Sequence, residues 1–164
     1  MMTPVRFNGK TVEGISTRTT NVVEMNPETS RIAGLVKQFD REIVPDYRQG
    51  GRVYTVYYDY ESDASGAFSV LIGTDRVAQT EATELERLTI PAGDYLVFTG
   101  SGDMPAVVID TWKRIWAFFE TPDIAFVRRY TTDFEYYKNK NELEIHIAVA
   151  EKAQESVGLD RLKR

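Results

Sequence analysis

The sequence has no cysteine and a single histidine. The first absence excludes a disulfide framework and any thiolate chemistry, nucleophilic or metal-ligating. The second leaves His146 without the partner His or Cys that a metal centre needs, so neither metal nor cofactor is expected. No apolar run reaches the roughly 18 residues that mark a membrane span, and "MMTPVRFNGK" lacks the apolar core of a signal peptide. The expected compartment is the cytoplasm, with no membrane partner. Positive charge is also short: 20 Lys and Arg stand against 25 Asp and Glu, a formal net charge of −5. Polyanion binding is driven mainly by Lys and Arg, so direct nucleic-acid binding is not expected.

What is present is an ordinary globular composition, 42% hydrophobic and 27% charged over 164 residues, enough for one domain with a substantial core. The aromatic content stands out: nine Tyr, eight Phe and two Trp. Order along the chain is legible as an echo. "VRFNGKTVEGISTRTTN" predicts a long strand. "NPETSRIAGLVKQFDREIV" places Ile32, Leu35, Val36, Phe39 and Ile43 at helical spacing, with Asn26 as the expected N-cap, Pro27 in the first turn and Pro45 just past the end. Two strands follow, "RVYTVYYDY" (52–60) and "GAFSVLIGTDRV" (66–77), around the polar turn "ESDAS".

The second half repeats that order. "GDYLVFTGSG" (93–102) is a strand with a glycine-rich end. Asp103 is the expected N-cap of a helix carrying Val108, Trp112, Ile115, Trp116 and Phe119. Strands "AFVRRYTTDFEYY" and "NELEIHIAV" then flank the hairpin connection "KNKN". The expectation is an α+β domain over 1–150, built from duplicated strand–helix–strand–strand units (4–77 and 92–150). Antiparallel sheets would leave a ligand groove between the two halves. The polar segment 78–91 is a linker with a short strand near "LERLTI", and 151–164 a frayed tail.

Alternation along the last strand puts Leu143, Ile145, Ile147 and Val149 on the face toward a helix. Glu144 and His146 then face whatever lies between the units. Glu135 and Tyr137 share one face of the preceding strand, Phe134 and Tyr136 the other. Whether the two glutamates line a site, face water or pair with Arg128 or Arg129 stays open on periodicity alone.

With these residues in view, the chain resembles the GyrI-like, or AraC-type, effector-binding domains, small-molecule sensing modules of multidrug-responsive transcription regulators. The resemblance rests on "VYYDY" (56–60), "GDYLVFTGSG", "WKRIWAFF" and "FEYY…ELEIHIAV", and covers roughly residues 3–150. The family's last strand commonly carries an aromatic where His146 stands and Pro where Ala148 stands. The resemblance implies a duplicated fold with a groove between its halves that takes bulky, amphipathic, often cationic compounds through aromatic rings and glutamates. The chain is expected to enter its first strand near Val5 with no helix-turn-helix before it, so a sensing role would call for a separate DNA-binding regulator.

The residues expected to face such a ligand are Glu144, Glu135, His146, Tyr58, Tyr137, Trp116 and Trp112. A carboxylate in an apolar groove loses hydration at a cost of several kcal/mol, which a cationic ligand would offset. Each well-placed ring would add about 0.5–2 kcal/mol of cation–π attraction. Trp112 and Trp116, four apart, equally suit a core stripe. "GSGDMP" lacks the Lys-Ser/Thr ending of a phosphate loop and is set aside. No nucleophile–base pair is evident, so no catalytic residue is assigned. Two other functions remain. One is a hydrolase of small electrophiles, with Glu144 as base and Tyr58 or Tyr137 as hydrogen-bond donor. The other is a protein-interaction inhibitor of a larger partner such as a topoisomerase. The sequence leaves the oligomeric state open.

Overall fold

The protein is described from a computed structural model covering residues 2–152. Val5–Phe7 (β1) and Lys10–Thr19 (β2) are followed by a single-turn helix Asn21–Met25 (α1) and the amphipathic helix Ile32–Glu42 (α2). Then come Ile43–Pro45 (β3), a 3-10 turn at Tyr47–Gln49, Val53–Tyr58 (β4), Phe68–Thr74 (β5) and Val77–Thr80 (β6). Glu86–Ile90 (β7), Gly93–Ser101 (β8), the helix Ala106–Glu120 (α3), Phe126–Tyr137 (β9) and Glu142–Glu151 (β10) complete it. None of the helices is long and apolar enough to cross a membrane.

The duplication is present. β2–α2–β4–β5 and β8–α3–β9–β10 follow the same path, and their strands join in one antiparallel sheet of order β1-β8-β10-β9-β4-β5-β2-β7. The inner strands β9 and β4 pair across the centre (Glu135 opposite Thr55, Asp133 opposite Tyr57), so the halves share a continuous sheet. Two short tethers curl it. β1 and β2 are separated only by Asn8 and Gly9, yet β1 pairs with β8 at one edge while β2 lies beside the other edge strand. β7 and β8, separated by Pro91 and Ala92, span the same gap in reverse. With about 3.8 Å between successive Cα atoms, the edges of the sheet must meet. Gly9 makes the first turn at φ 94°, a left-handed conformation that favours glycine.

Each face of the curled sheet therefore has its own core. Inside the curl, Val12, Tyr54, Val56, Leu71, Ile90, Tyr95 and Phe134 pack with Phe7 and Leu88. Outside it, α3 covers Leu96, Phe98, Leu143, Ile145 and Ile147, while α2 sets Leu35 and Phe39 on Ile72. The expected orientation of Leu143, Ile145, Ile147 and Val149 toward a helix is what the structure has.

Several local expectations change. The long first strand breaks at Asn8–Gly9. Asn26 ends α1 instead of starting α2, and its side chain accepts from the Glu28 amide. α2 begins six residues later, where the Glu24 carboxylate takes the amides of Arg31 and Ile32 and so does the work of an N-cap from a distance. Burial alone would raise the Glu24 pKa, but hydrogen bonds from Thr19, Arg31, Ile32 and Ser30 outweigh it and hold the carboxyl below its ordinary value. Asp103 is not the side-chain cap of α3; Pro105 occupies the cap position and Asp103 contributes its backbone carbonyl to the Val107 amide. The segment 78–91 holds β7, and most of β6, which pairs with β3. Residues 153 onward of the expected tail lie outside the described residues.

Candidate functional site

Glu135 and Glu144 lie on opposite faces of the sheet. In the β9–β10 hairpin Glu135 stands opposite Ile145, and Glu144 opposite Tyr136. Since Ile145 faces α3, so does Glu135; Glu144 and His146 face the interior of the curl.

On the helix side Glu135 is 2% exposed, at the middle of the sheet between the two helices. Three neutral donors converge on it: Tyr57 Oη at 2.6 Å and Trp112 Nε1 at 2.8 Å on one oxygen, Tyr137 Oη at 2.5 Å on the other. Among the described residues no basic group lies within 4 Å of it. Burial pushes its pKa above the usual carboxylate range, against the pull of hydrogen bonds from Trp112, Tyr137, Tyr57 and Thr55. Burial beside this carboxylate pushes the Tyr57 and Tyr137 hydroxyls far up, so both stay protonated and donating. Rings surround the group. Trp112 meets Tyr57 edge-on at 5.3 Å, Trp116 packs on Trp112 at 6.2 Å and is 44% exposed, and Phe68 sits between Tyr57 and Tyr60.

A second acid lies two residues away on the same face. Asp133 is fully buried, pairs with Arg128 at 2.8 Å, accepts from Tyr60 Oη at 2.6 Å and holds the Ala148 amide at 2.9 Å. A bulge makes the pairing possible. Asp133 stands opposite Ile147 and Arg128 opposite Val149, so residues 129–132 of β9 face the single Ala148 of β10, with Tyr130 at φ 53°. The extra residues break the alternation and bring an even-numbered arginine onto the odd-numbered face.

On the inner face His146 Nε2 lies 3.0 Å from Glu144 Oε1, and its ring stacks on Phe134 at 4.4 Å. His146 Nδ1 is buried with no partner among the described residues. Burial lowers the His146 pKa, with Glu144 opposing. Tyr58 lies on this face too, half-buried against the inner core.

Of the residues expected from sequence, the fold thus gathers Glu135, Tyr137 and Trp112 with Trp116 beside them, and places Glu144, His146 and Tyr58 on the other face. Neither glutamate pairs with Arg128 or Arg129; Arg128 belongs to Asp133. Tyr57, Asp133, Tyr60 and Tyr130 were not among the residues expected to face a ligand, and Arg128 was expected only as a candidate partner of a glutamate. Parity does separate Tyr57 from Tyr58, but the pairing of β4 with β9 across the halves leaves no local signal. Two open depressions flank the β8–α3 turn, one lined by Thr99–Ser101 with Lys138 and Glu142, the other by Asp103, Asp110 and Arg114; neither includes Glu135.

Residues 5–149 match a family described as Cass2, integron-associated effector binding protein. An integron cassette protein from the mobile metagenome of Vibrio cholerae is 41% identical, with a TM-score of 0.83 over 91% of this chain and 95% of that one. SAV2435, solved bound to tetraphenylphosphonium, shares the fold at 16% identity, with a TM-score of 0.64 over 92% and 94% of the two chains. EcmrR, solved with DNA, matches at 15% identity and a TM-score of 0.51, over 93% of this chain and 58% of that one. No curated protein matches.

Proposed function

The chain belongs to the integron-associated effector-binding proteins, a family related to the effector domains of transcription regulators, and from that premise we propose that it binds amphipathic aromatic cations at Glu135. The carrying observation is a fully buried carboxylate ringed by Tyr57, Tyr137 and Trp112, with no cation within reach among the described residues. Burying such a group costs several kcal/mol, and hydrogen bonds to a charged acceptor return only about 1.5–3 kcal/mol each. An organic cation supplies what neutral donors do not: a counter-charge that needs no strong hydration and that the surrounding rings attract. SAV2435, with the same fold, was solved with such a cation.

Ligand access requires Trp112 to leave the carboxylate, since its indole nitrogen holds one of the two oxygens. The half-exposed Trp116 beside it is the ring of the cluster nearest solvent. Glu144 and His146 are outside this reading because the sheet stands between them and Glu135.

Titration calorimetry with a charge series tests it: tetraphenylphosphonium, neutral triphenylphosphine oxide and anionic tetraphenylborate. Binding of the cation, with loss in Glu135→Gln and retention in Glu144→Gln, is the expected result. A bound cation at a hundred times its Kd also raises stability by about 2.7 kcal/mol. Equal binding of all three, or loss in Glu144→Gln with retention in Glu135→Gln, overturns it.

A further inference from the structure

The site holds two buried carboxylates but only one is left without a counter-charge. Asp133 and Glu135 sit two residues apart on one face of β9, Asp133 with Arg128 at 2.8 Å and Glu135 with neutral donors alone. The Arg128 side chain is 8% exposed. Its guanidinium carbon lies 4.4 Å from the Tyr130 ring centre and 5.9 Å from that of Trp112, the same indole that donates to Glu135. One ring therefore touches both the resident cation and the carboxylate proposed to take the incoming one.

The Arg128–Asp133 pair is not the bidentate arrangement that maximises such a bridge. Only one terminal nitrogen reaches Asp133, and among the described residues Nε is buried without an acceptor. Its guanidinium instead lies over the Tyr130 and Trp112 rings, which keeps a positive charge in the wall of the cluster. Its acid partner raises its pKa against the opposing effect of burial, so the charge persists at any working pH.

We propose that Arg128 sets the charge the site accepts: it cancels Asp133, leaves one net negative charge on Glu135, and makes the pocket select aromatic monocations over dications. This rests on the reading of Glu135 as the ligand carboxylate. A second positive charge on a ligand would find no unpaired acid, because Asp133 is already taken by Arg128, and would lose its hydration without compensation.

Ethidium and propidium share a phenanthridinium core and differ by one added quaternary ammonium, so their affinity ratio reads charge selection directly. The native protein is expected to bind ethidium at least about tenfold more tightly than propidium, for charges separated by a few ångström in a partly dry site. Arg128→Met, its fold checked by melting, should erase that preference by about the same factor. The double variant Arg128→Met with Asp133→Asn, which removes both charges, should restore it. Asp133→Asn alone keeps Arg128 and leaves the site with no net charge, so ethidium should weaken about tenfold or more while Asn still accepts from Ala148. This last variant carries the test should Arg128→Met fail to fold.

Equal native affinity for the two dyes, an unchanged ratio in Arg128→Met, or undiminished ethidium binding in Asp133→Asn overturns the proposal. Each of these leaves the Glu135 reading standing if ethidium binding still needs Glu135. No binding of either dye or of tetraphenylphosphonium overturns both.

Discussion

The two faces of the sheet each carry a glutamate among aromatic rings, nine residues apart in one hairpin, and the two are built for different ends. On the outer face Glu135 is shut away with neutral donors, two from strands β4 and β9 and one from helix α3. On the inner face Glu144 keeps 26% of its side chain exposed and leans on His146, whose ring is stacked on Phe134. A partly solvated carboxylate beside imidazole is close to balanced. A dry one ringed by hydroxyls and an indole is held at a cost, and a held cost is what a ligand can relieve.

The largest expected effect breaks the comparison at the acids themselves. Glu135→Gln should weaken tetraphenylphosphonium by at least about 30-fold, from the 2–5 kcal/mol typical of truncating a buried charge partner. Glu144→Gln should change it by less than about threefold, as a substitution remote from the ligand does. Calorimetric titration of both variants decides. Next come the donors. Tyr57→Phe removes one bond to a buried charge and should cost about 1.5–3 kcal/mol of folding stability. Tyr58→Phe, its neighbour on the other face, should cost less than about 0.5 kcal/mol. Urea unfolding at constant pH measures the pair.

The smallest effects are slopes with pH, and they run in opposite directions. Burial raises the Glu135 pKa, so the native state binds a proton that the unfolded chain has released. Stability should therefore fall as pH rises from the ordinary glutamate range to the raised value, and Glu135→Gln should flatten that fall. Burial lowers the His146 pKa below its ordinary 6.5, with Glu144 pulling the other way. The unfolded chain then binds the extra proton, so stability should fall as pH drops from 6.5 through the lowered value, and His146→Phe should flatten it. Melting temperatures from acid to neutral pH, in both variants, separate the two contributions. A Glu135→Gln profile parallel to the native one would remove the acid from its dry site.

Much of this was readable locally. The repeated element order, the apolar stripes of α2 and α3, and the side of β10 that faces a helix all follow from periodicities of 3.6 and 2. Helix starts were not, because their caps act at a distance: Glu24 closes α2 from seven and eight residues upstream. Within the site, Glu135, Tyr137 and Trp112 were expected through the family resemblance, while periodicity alone left the glutamates open and suited Trp112 equally to a core stripe. Placing Glu144 with them was an inference that local pattern does not license, since which glutamate shares a face with which depends on how the hairpin pairs.

The sequence by itself determined the composition of the site: no thiol, no histidine pair, a surplus of acid and a run of tyrosines, which excludes thiolate chemistry and a His or Cys metal centre. It also determined which strand face is apolar, because alternation is a property of the strand alone. Only the tertiary structure decided which groups meet. The register of β9 against β4 brings Tyr57 to Glu135, and the bulge opposite Ala148 turns Arg128 onto Asp133. The curl imposed by two short tethers gives one sheet two separate cores. The physical reason is that burial, and with it the value of a charge, is set by neighbours from distant parts of the chain.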